Sequence, residues 1–207
     1  LIYDISRPID PSTPVWPGDV HPELEWTMLR DRGEIVNLST LRLSAHTGTH
    51  IDAPYHISNE GAPVGALPLE AYLGAAVVVD ASSRPRIDSA LIGPILRFRP
   101  LPERILFRTG AWGVGDPFPS EFPAFDPGCV SLLAAAGVLL VGTDAPSVDP
   151  FDSIDLPAHH ALFAAGIAVL ESLALDSVPP GNFELIALPL KLTHADGSPV
   201  RAILRSR

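Results

Sequence analysis

Three of the seven histidines, His46, His50 and His56, fall within eleven residues, in Ser44-Ala-His-Thr-Gly-Thr-His-Ile-Asp-Ala-Pro-Tyr-His-Ile57. Imidazole nitrogens and carboxylate oxygens are the ligands that zinc and neighbouring divalent ions take. Gly48 and Pro54 argue against a helix, and the Thr and Ile residues favour extended backbone. With a side-chain period of two, His46, Gly48, His50 and Asp52 then share one face, and the glycine leaves room for an ion between the imidazoles. A polar strand edge carrying surface histidines is the plainer alternative. The convergence of histidines and Asp52 around a glycine favours the metal. His56 lies past the kink at Pro54, as a further ligand, as a general acid/base, or as an exposed loop histidine.

A second group lies in the C-terminal half. In Leu156-Pro-Ala-His-His160, either His159 or His160 could point inward from a short helix while the other faces solvent. Glu171 ends the apolar run Ile167–Leu170, where an ionised carboxylate is costly unless a cation pairs with it. That cation is a metal, or an arginine in a salt bridge. Trp16, between Val15 and Pro17, reads as packing or as an aromatic platform. Cys129 beside Val130 reads as core rather than nucleophile, and Asp144 as a turn or cap. His21 and His194 read as surface residues. No G-x-S-x-G elbow occurs, so a serine hydrolase mechanism lacks its nucleophile, and Gly110, Gly113 and Gly115 lack dinucleotide-loop spacing.

Short β-like runs must hold these groups: Leu1–Ile5, Leu24–Leu29, Ile35–Ala45, Ala75–Asp80, Arg104–Arg108, Gly137–Gly142, Ile167–Leu170, Phe183–Leu190 and Val200–Leu204. Helix signals interrupt them. Asp126-Pro127 opens Val130–Ala136, closed by Gly137, and Asp155-Leu-Pro opens Ala158–Ala165, closed by Gly166. Pro68–Leu73 is a third, short helix, and Ala195-Asp-Gly-Ser198 a hairpin turn. The expectation is an α/β chain with a mixed β-sheet and interleaved short helices, residues 1–207 forming one domain. The 23 prolines, among 207 residues, speak against a helical bundle. A net charge of −10 disfavours nucleic acid and anionic membranes as partners. No apolar stretch is long enough for a bilayer, no signal peptide is visible at LIYDISRPID, and the lone cysteine suits a reducing cytoplasm.

His46-Thr-Gly-Thr-His-Ile-Asp-Ala-Pro-Tyr-His56 resembles the H-x-G-T-H-x-D-x-P-x-H signature of the metal-dependent cyclase family. Asp4-Ile-Ser and Thr13-Pro-Val-Trp-Pro-Gly-Asp19 are similar to its bacterial kynurenine formamidase branch. The likeness continues through Gly142-Thr-Asp-Ala-Pro-Ser147, Leu156-Pro-Ala-His-His160 and Leu170-Glu-Ser-Leu173, and so covers nearly the whole chain. It implies two zinc ions per subunit, with manganese as an alternative. His46, His50 and Asp52 match the first ligand set, with Asp52 bridging to a second ion completed by Glu171 and a histidine. The family's spacing favours His159 for that histidine. His56 matches the proton-transferring residue, and Trp16 the aromatic residue that packs on the substrate's ring. The implied reaction is hydrolysis of N-formyl-L-kynurenine to L-kynurenine and formate, in a homodimer or a larger assembly. The alternatives are an isatin-hydrolase-like cyclic amide hydrolase and a non-catalytic metal-binding protein.

Overall fold

The computed structural model describes residues 1–97 and 101–206. Its strands, in chain order, are β1 Ile2–Asp4, β2 Glu23–Met28, β3 Leu38–Arg42, β4 His50–Asp52, β5 Leu73–Asp80, β6 Arg86–Ile87 and β7 Arg104–Arg108. They continue as β8 Ala124–Phe125, β9 Leu140–Thr143, β10 Ala168–Glu171, β11 Gly181–Ile186, β12 Gly197–Pro199 and β13 Ile203–Ser206. Among the described residues three α-helices lie between them: α1 Ser89–Ile95, α2 Val130–Ala135 and α3 Pro157–Ala164. No helix among the described residues is long and apolar enough to cross a membrane.

Nine strands form one mixed sheet in the order β1-β13-β11-β5-β7-β9-β10-β4-β12. Its centre, β5-β7-β9-β10, is parallel, and the flanking strands pair antiparallel. Alternation along each strand divides the core. Val77, Ile105, Phe107, Val141 and Val169 pack under the helices with Leu91, Ile92, Leu133 and Leu162. Ala76, Val78, Leu106, Leu140 and Leu170 face a second cluster with Tyr72, Leu185 and Leu204. Ile51 of β4 and Ile5, just past β1, belong to that same second cluster although their strands lie near opposite ends of the sheet. The sheet is therefore curled, and residues 200–202 close the gap: Val200 N donates to Thr49 O, and Ile5 N to Ala202 O.

Helix ends follow their local chemistry. Asp126 accepts from Gly128 N, capping a 3-10 turn, Pro127–Cys129, that leads into α2. Gly137 and Gly166 close α2 and α3 with positive φ. Asp155 does not open α3 as its sequence position suggests. Leu156 occupies the N-cap in a left-handed conformation, and the capping carboxylate is that of Asp149, which accepts from Ala158 N and His159 N. Pro68–Leu73 forms only a 3-10 turn, Leu69–Tyr72. The hairpin turn expected at Ala195–Ser198 is absent, because Gly197 and Ser198 belong to β12, paired with Asp52 and Ile51 of β4.

Candidate metal centre and its cavity

The register of β4 against β10 sets His50 opposite Glu171, and that of β12 against β4 sets Gly197 opposite Asp52. Glu171 stands at the carboxyl end of a parallel strand, where open α/β sheets place functional groups. His50 and Asp52 do share a face of extended backbone. His46 does not continue it, since residues 45–49 turn, with Gly48 at φ 63°. A Cβ on Gly48 would meet Ile9, not the imidazoles, so this glycine serves the turn rather than clearing space for an ion. The turn still delivers His46, whose Nδ1 lies 2.8 Å from Asp52 Oδ1.

Two further imidazoles present Nε2 to the same carboxylates. His50 Nδ1 donates to the carbonyl of Gly48 at 2.8 Å, leaving Nε2 3.4 Å from Asp52 and 3.5 Å from Glu171. His159 Nδ1 donates to Asp149 at 2.7 Å, leaving Nε2 3.3 Å from Asp52 and 3.4 Å from Glu171. An imidazole whose outer nitrogen is anchored to a carbonyl or carboxylate is the usual arrangement of a metal-bound histidine. His159 is buried and His160 exposed, which separates the two neighbours. Glu171 Oε1 also accepts from Val148 N at 2.7 Å, and among the described residues no arginine or lysine pairs with it.

This donor set suits a divalent cation. Ligand atoms of His50, Asp52 and Glu171 lie within 4.8 Å of one another, as do those of His46, Asp52 and His56, so Asp52 is common to both groups. Asp52 Oδ1 is buried without a well-aligned hydrogen bond, an orphan that a cation would satisfy. Burial opposes ionisation of Asp52, yet His50, His159 and His46 hold its carboxyl well below the usual carboxylate range. Burial likewise works against a charged His46, but Asp196 and Asp52 raise it to about 10. His159 is raised by Asp149, Asp52 and Glu171 against the same penalty.

The cluster floors a cavity of about 520 Å³ walled by Trp16, Trp112, Phe118 and Leu156, with His56 at its side. Trp16 stacks on Phe151 at 5.1 Å and meets Phe118 edge-on, yet keeps 37% of its surface exposed, so packing and a free aromatic face coexist. Its turn is closed by Asp19 N donating to Trp16 O, with Gly18 at φ 93°. His56 ends a 3-10 turn, Pro54–His56, its ring 4.2 Å from that of His46.

Other candidates fall to structural roles. Cys129 is buried, its thiol raised to about 11 by burial and held near Ile87 O. Asp144 accepts from Thr109 N and Gly110 N as a turn cap. His21 and His194 are exposed. Three site-building residues escape a reading of the sequence. Asp149 fixes His159, Asp196 accepts from His46 Nε2 and His56 Nδ1, and Arg7 braces the loop after Glu171. The Arg7 guanidinium lies 3.7 Å over Trp112 and donates to Ser172 O, while Ser172 takes a left-handed φ of 58°. A search for the carboxylate partner of each ligating histidine would have raised Asp149 and Asp196. Arg7 has no such signal.

The Cyclase family model matches residues 3–150. The chain is 50% identical to a kynurenine formamidase of Salinibacter ruber (strain DSM 13855 / M31), over 99% of this chain and 97% of that protein. Among solved structures, a potential metal-dependent hydrolase with cyclase activity has 30% identity and a TM-score of 0.84, covering 99% of this chain and 96% of that one. Isatin hydrolase A from Labrenzia aggregata, bound to benzyl benzoate, has 28% identity and a TM-score of 0.84, with 99% and 93% covered. The curled mixed sheet, the histidine–carboxylate cluster at its strand ends and these likenesses agree: the chain belongs to the Cyclase family.

Proposed function

We propose that this protein hydrolyses the formyl amide of N-formyl-L-kynurenine, releasing L-kynurenine and formate, with zinc as its metal. The observation that carries the reading is the convergence of His46, His50, Asp52, His159 and Glu171 beneath a cavity with an aromatic wall. The 50% identical formamidase supports the substrate. His46, His50 and Asp52 would hold one ion, and Asp52, His159 and Glu171 a second. A bound zinc supplies polarisation of water and of the formyl oxygen. The chain's residues do the rest. Trp16 holds the aryl ring on its exposed face. His56 receives the proton of the attacking water and hands it to the aniline nitrogen as the C–N bond breaks, because an anilide anion leaves poorly.

The subunit is proposed to pair as a homodimer, supported by β2 and β3, every residue of which is exposed. A buried free thiol fits a reducing compartment such as the cytoplasm.

The experiment follows loss of N-formylkynurenine by absorbance before chelation, after chelation, and after zinc or manganese is returned. Activity lost with chelator and restored by zinc is expected; stronger restoration by manganese would reassign the metal. Tight zinc binding without hydrolysis would sink the formamidase reading, and turnover of isatin in its place would move the chain to the cyclic amide hydrolases. His56→Ala should lose about 100-fold or more in kcat while keeping its zinc.

A further inference from the structure

Asp196 contributes to no ligand group and lies outside the residues that line the cavity, yet it touches two residues of the site. One oxygen, Oδ2, lies 2.9 Å from His46 Nε2 and 3.2 Å from His56 Nδ1. Its backbone is fixed from both sides. Asp196 O accepts from Ala53 N at 2.8 Å, immediately before the turn that carries His56, and Ala195 O accepts from Val64 N. The next residue, Gly197, allows the approach, since a Cβ there would stand 2.9 Å from His46 Cε1. Among the described residues no other side chain hydrogen-bonds His56, an exposed residue at the end of a short turn.

From this arrangement we propose that Asp196 is the positioning residue for His56, an inference that rests on the formamidase reading for the reaction it serves. A carboxylate that accepts from Nδ1 holds the ring in the Nδ1–H tautomer, and so leaves the Nε2 lone pair as the nitrogen available to the cavity. That nitrogen takes a proton from the water that attacks the formyl carbon. It returns the proton to the aniline nitrogen when the C–N bond breaks, so that a neutral amine and formic acid leave, the acid giving its remaining proton to solvent to become formate. Without Asp196 the ring is free to rotate and to exchange tautomers, and the nitrogen that faces the substrate is no longer defined. A base oriented by a third group is the general logic of catalytic triads. The shared oxygen also ties the His56 ring to His46, so the proton carrier is registered against the metal cluster rather than against the loop it stands on.

The test compares wild type, Asp196→Asn and Asp196→Ala, each loaded with zinc, with zinc content measured on the same samples. With N-formylkynurenine, kcat should fall about 10- to 1,000-fold while KM stays within about twofold. With 4-nitrophenyl formate the loss should be several-fold smaller, because 4-nitrophenolate departs without a proton. Long-range 1H–15N spectra should show the Nδ1–H tautomer of His56 in wild type and its loss in Asp196→Ala. Equal losses on amide and ester at full zinc would overturn the proposal by assigning Asp196 to the metal through His46. Persistence of the Nδ1–H tautomer in Asp196→Ala would overturn it as well. A wild type that binds zinc but leaves N-formylkynurenine intact would instead refute the formamidase reading, and the tautomer measurement would still decide the role of Asp196. If Asp196→Ala does not fold, Asp196→Asn, which keeps the shape and removes the charge, carries the comparison.

Discussion

His159 and His160 are chemically identical neighbours on one helix, and their environments assign them opposite fates. His159 is 3% exposed, with Asp149 on one ring nitrogen and Asp52 and Glu171 near the other, whereas His160 faces solvent. On the proposed ligand set, His159→Ala should therefore weaken metal binding by more than the roughly 10- to 100-fold that loss of an outer partner costs. His160→Ala should leave zinc affinity and turnover near wild type, and a loss of zinc there would reverse the assignment. A second expectation follows from the charge state of His46. Held at about 10 by Asp196 and Asp52 against burial, the metal-free ring carries a proton at pH 7. If His46 binds a metal ion, as proposed, the ion displaces that proton, so titration calorimetry with zinc in buffers of different ionisation heat should show net proton release. A raised imidazole stabilises the metal-free fold fully below the unfolded value of about 6.5, and that contribution disappears as pH rises through about 10. Chelated protein should lose stability over that window, and a melting temperature flat from pH 7 to 10 would contradict it.

At the scale of elements, the short strand β12 shows how pairing, rather than propensity, builds the site. Gly197-Ser-Pro199 has no strand character in its sequence, yet it pairs with β4 along its length and lays a bare backbone against the ring of His46. Gly197→Ala would place a Cβ 2.8 Å from Ile51 O and 2.9 Å from His46 Cε1. Because the nearest atom is backbone, the strand itself must shift. Overpacking of this kind costs about 1–3 kcal/mol, or several degrees of melting temperature for a chain of this length. An unchanged melting curve would show that the ladder can yield. The same strand marks the limit of reading the sequence. Arg104–Arg108 is legible in full because both of its faces are buried, which makes Ile105–Phe107 a continuous apolar run, and the His-Asp run is legible as chemistry because ligand types cluster locally. Asp196 looked like part of a hairpin turn, since its role depends on a segment 140 residues away in sequence. Helix α1 escaped notice because Gly93 and Pro94 lie inside it, although Asp88 caps it and Leu91, Ile92 and Ile95 bury one face. The spacing predicts His46 on an extended strand with His50 and Asp52, whereas a left-handed turn at Gly48 is what brings it round to Asp52.

For the whole molecule, the main sheet curls until residues from its two ends share one core, and that closure leaves the β2–β3 ladder standing apart as its own two-stranded sheet. Such a pair alone is marginally stable in water. Here Leu24, Trp26, Met28, Leu38 and Leu41 are between 37% and 57% exposed, on a chain otherwise acidic enough, at −10, to stay well solvated. Apolar surface gathered on one projecting element marks a contact with another molecule, and a two-fold pair of identical chains is the commonest such contact. The ladder also carries Glu23 paired with Arg42, so charged and apolar side chains alternate on it, as they do at the rim and centre of an interface. Sedimentation should find a dimer at micromolar concentration. Replacing Trp26 and Leu41 together by glutamate should shift it to monomer, because two buried like charges facing their symmetry mates are costly to bring together. A wild type that sediments as a monomer would leave the ladder without its proposed cover. A variant that stays dimeric would move the interface elsewhere on the molecule.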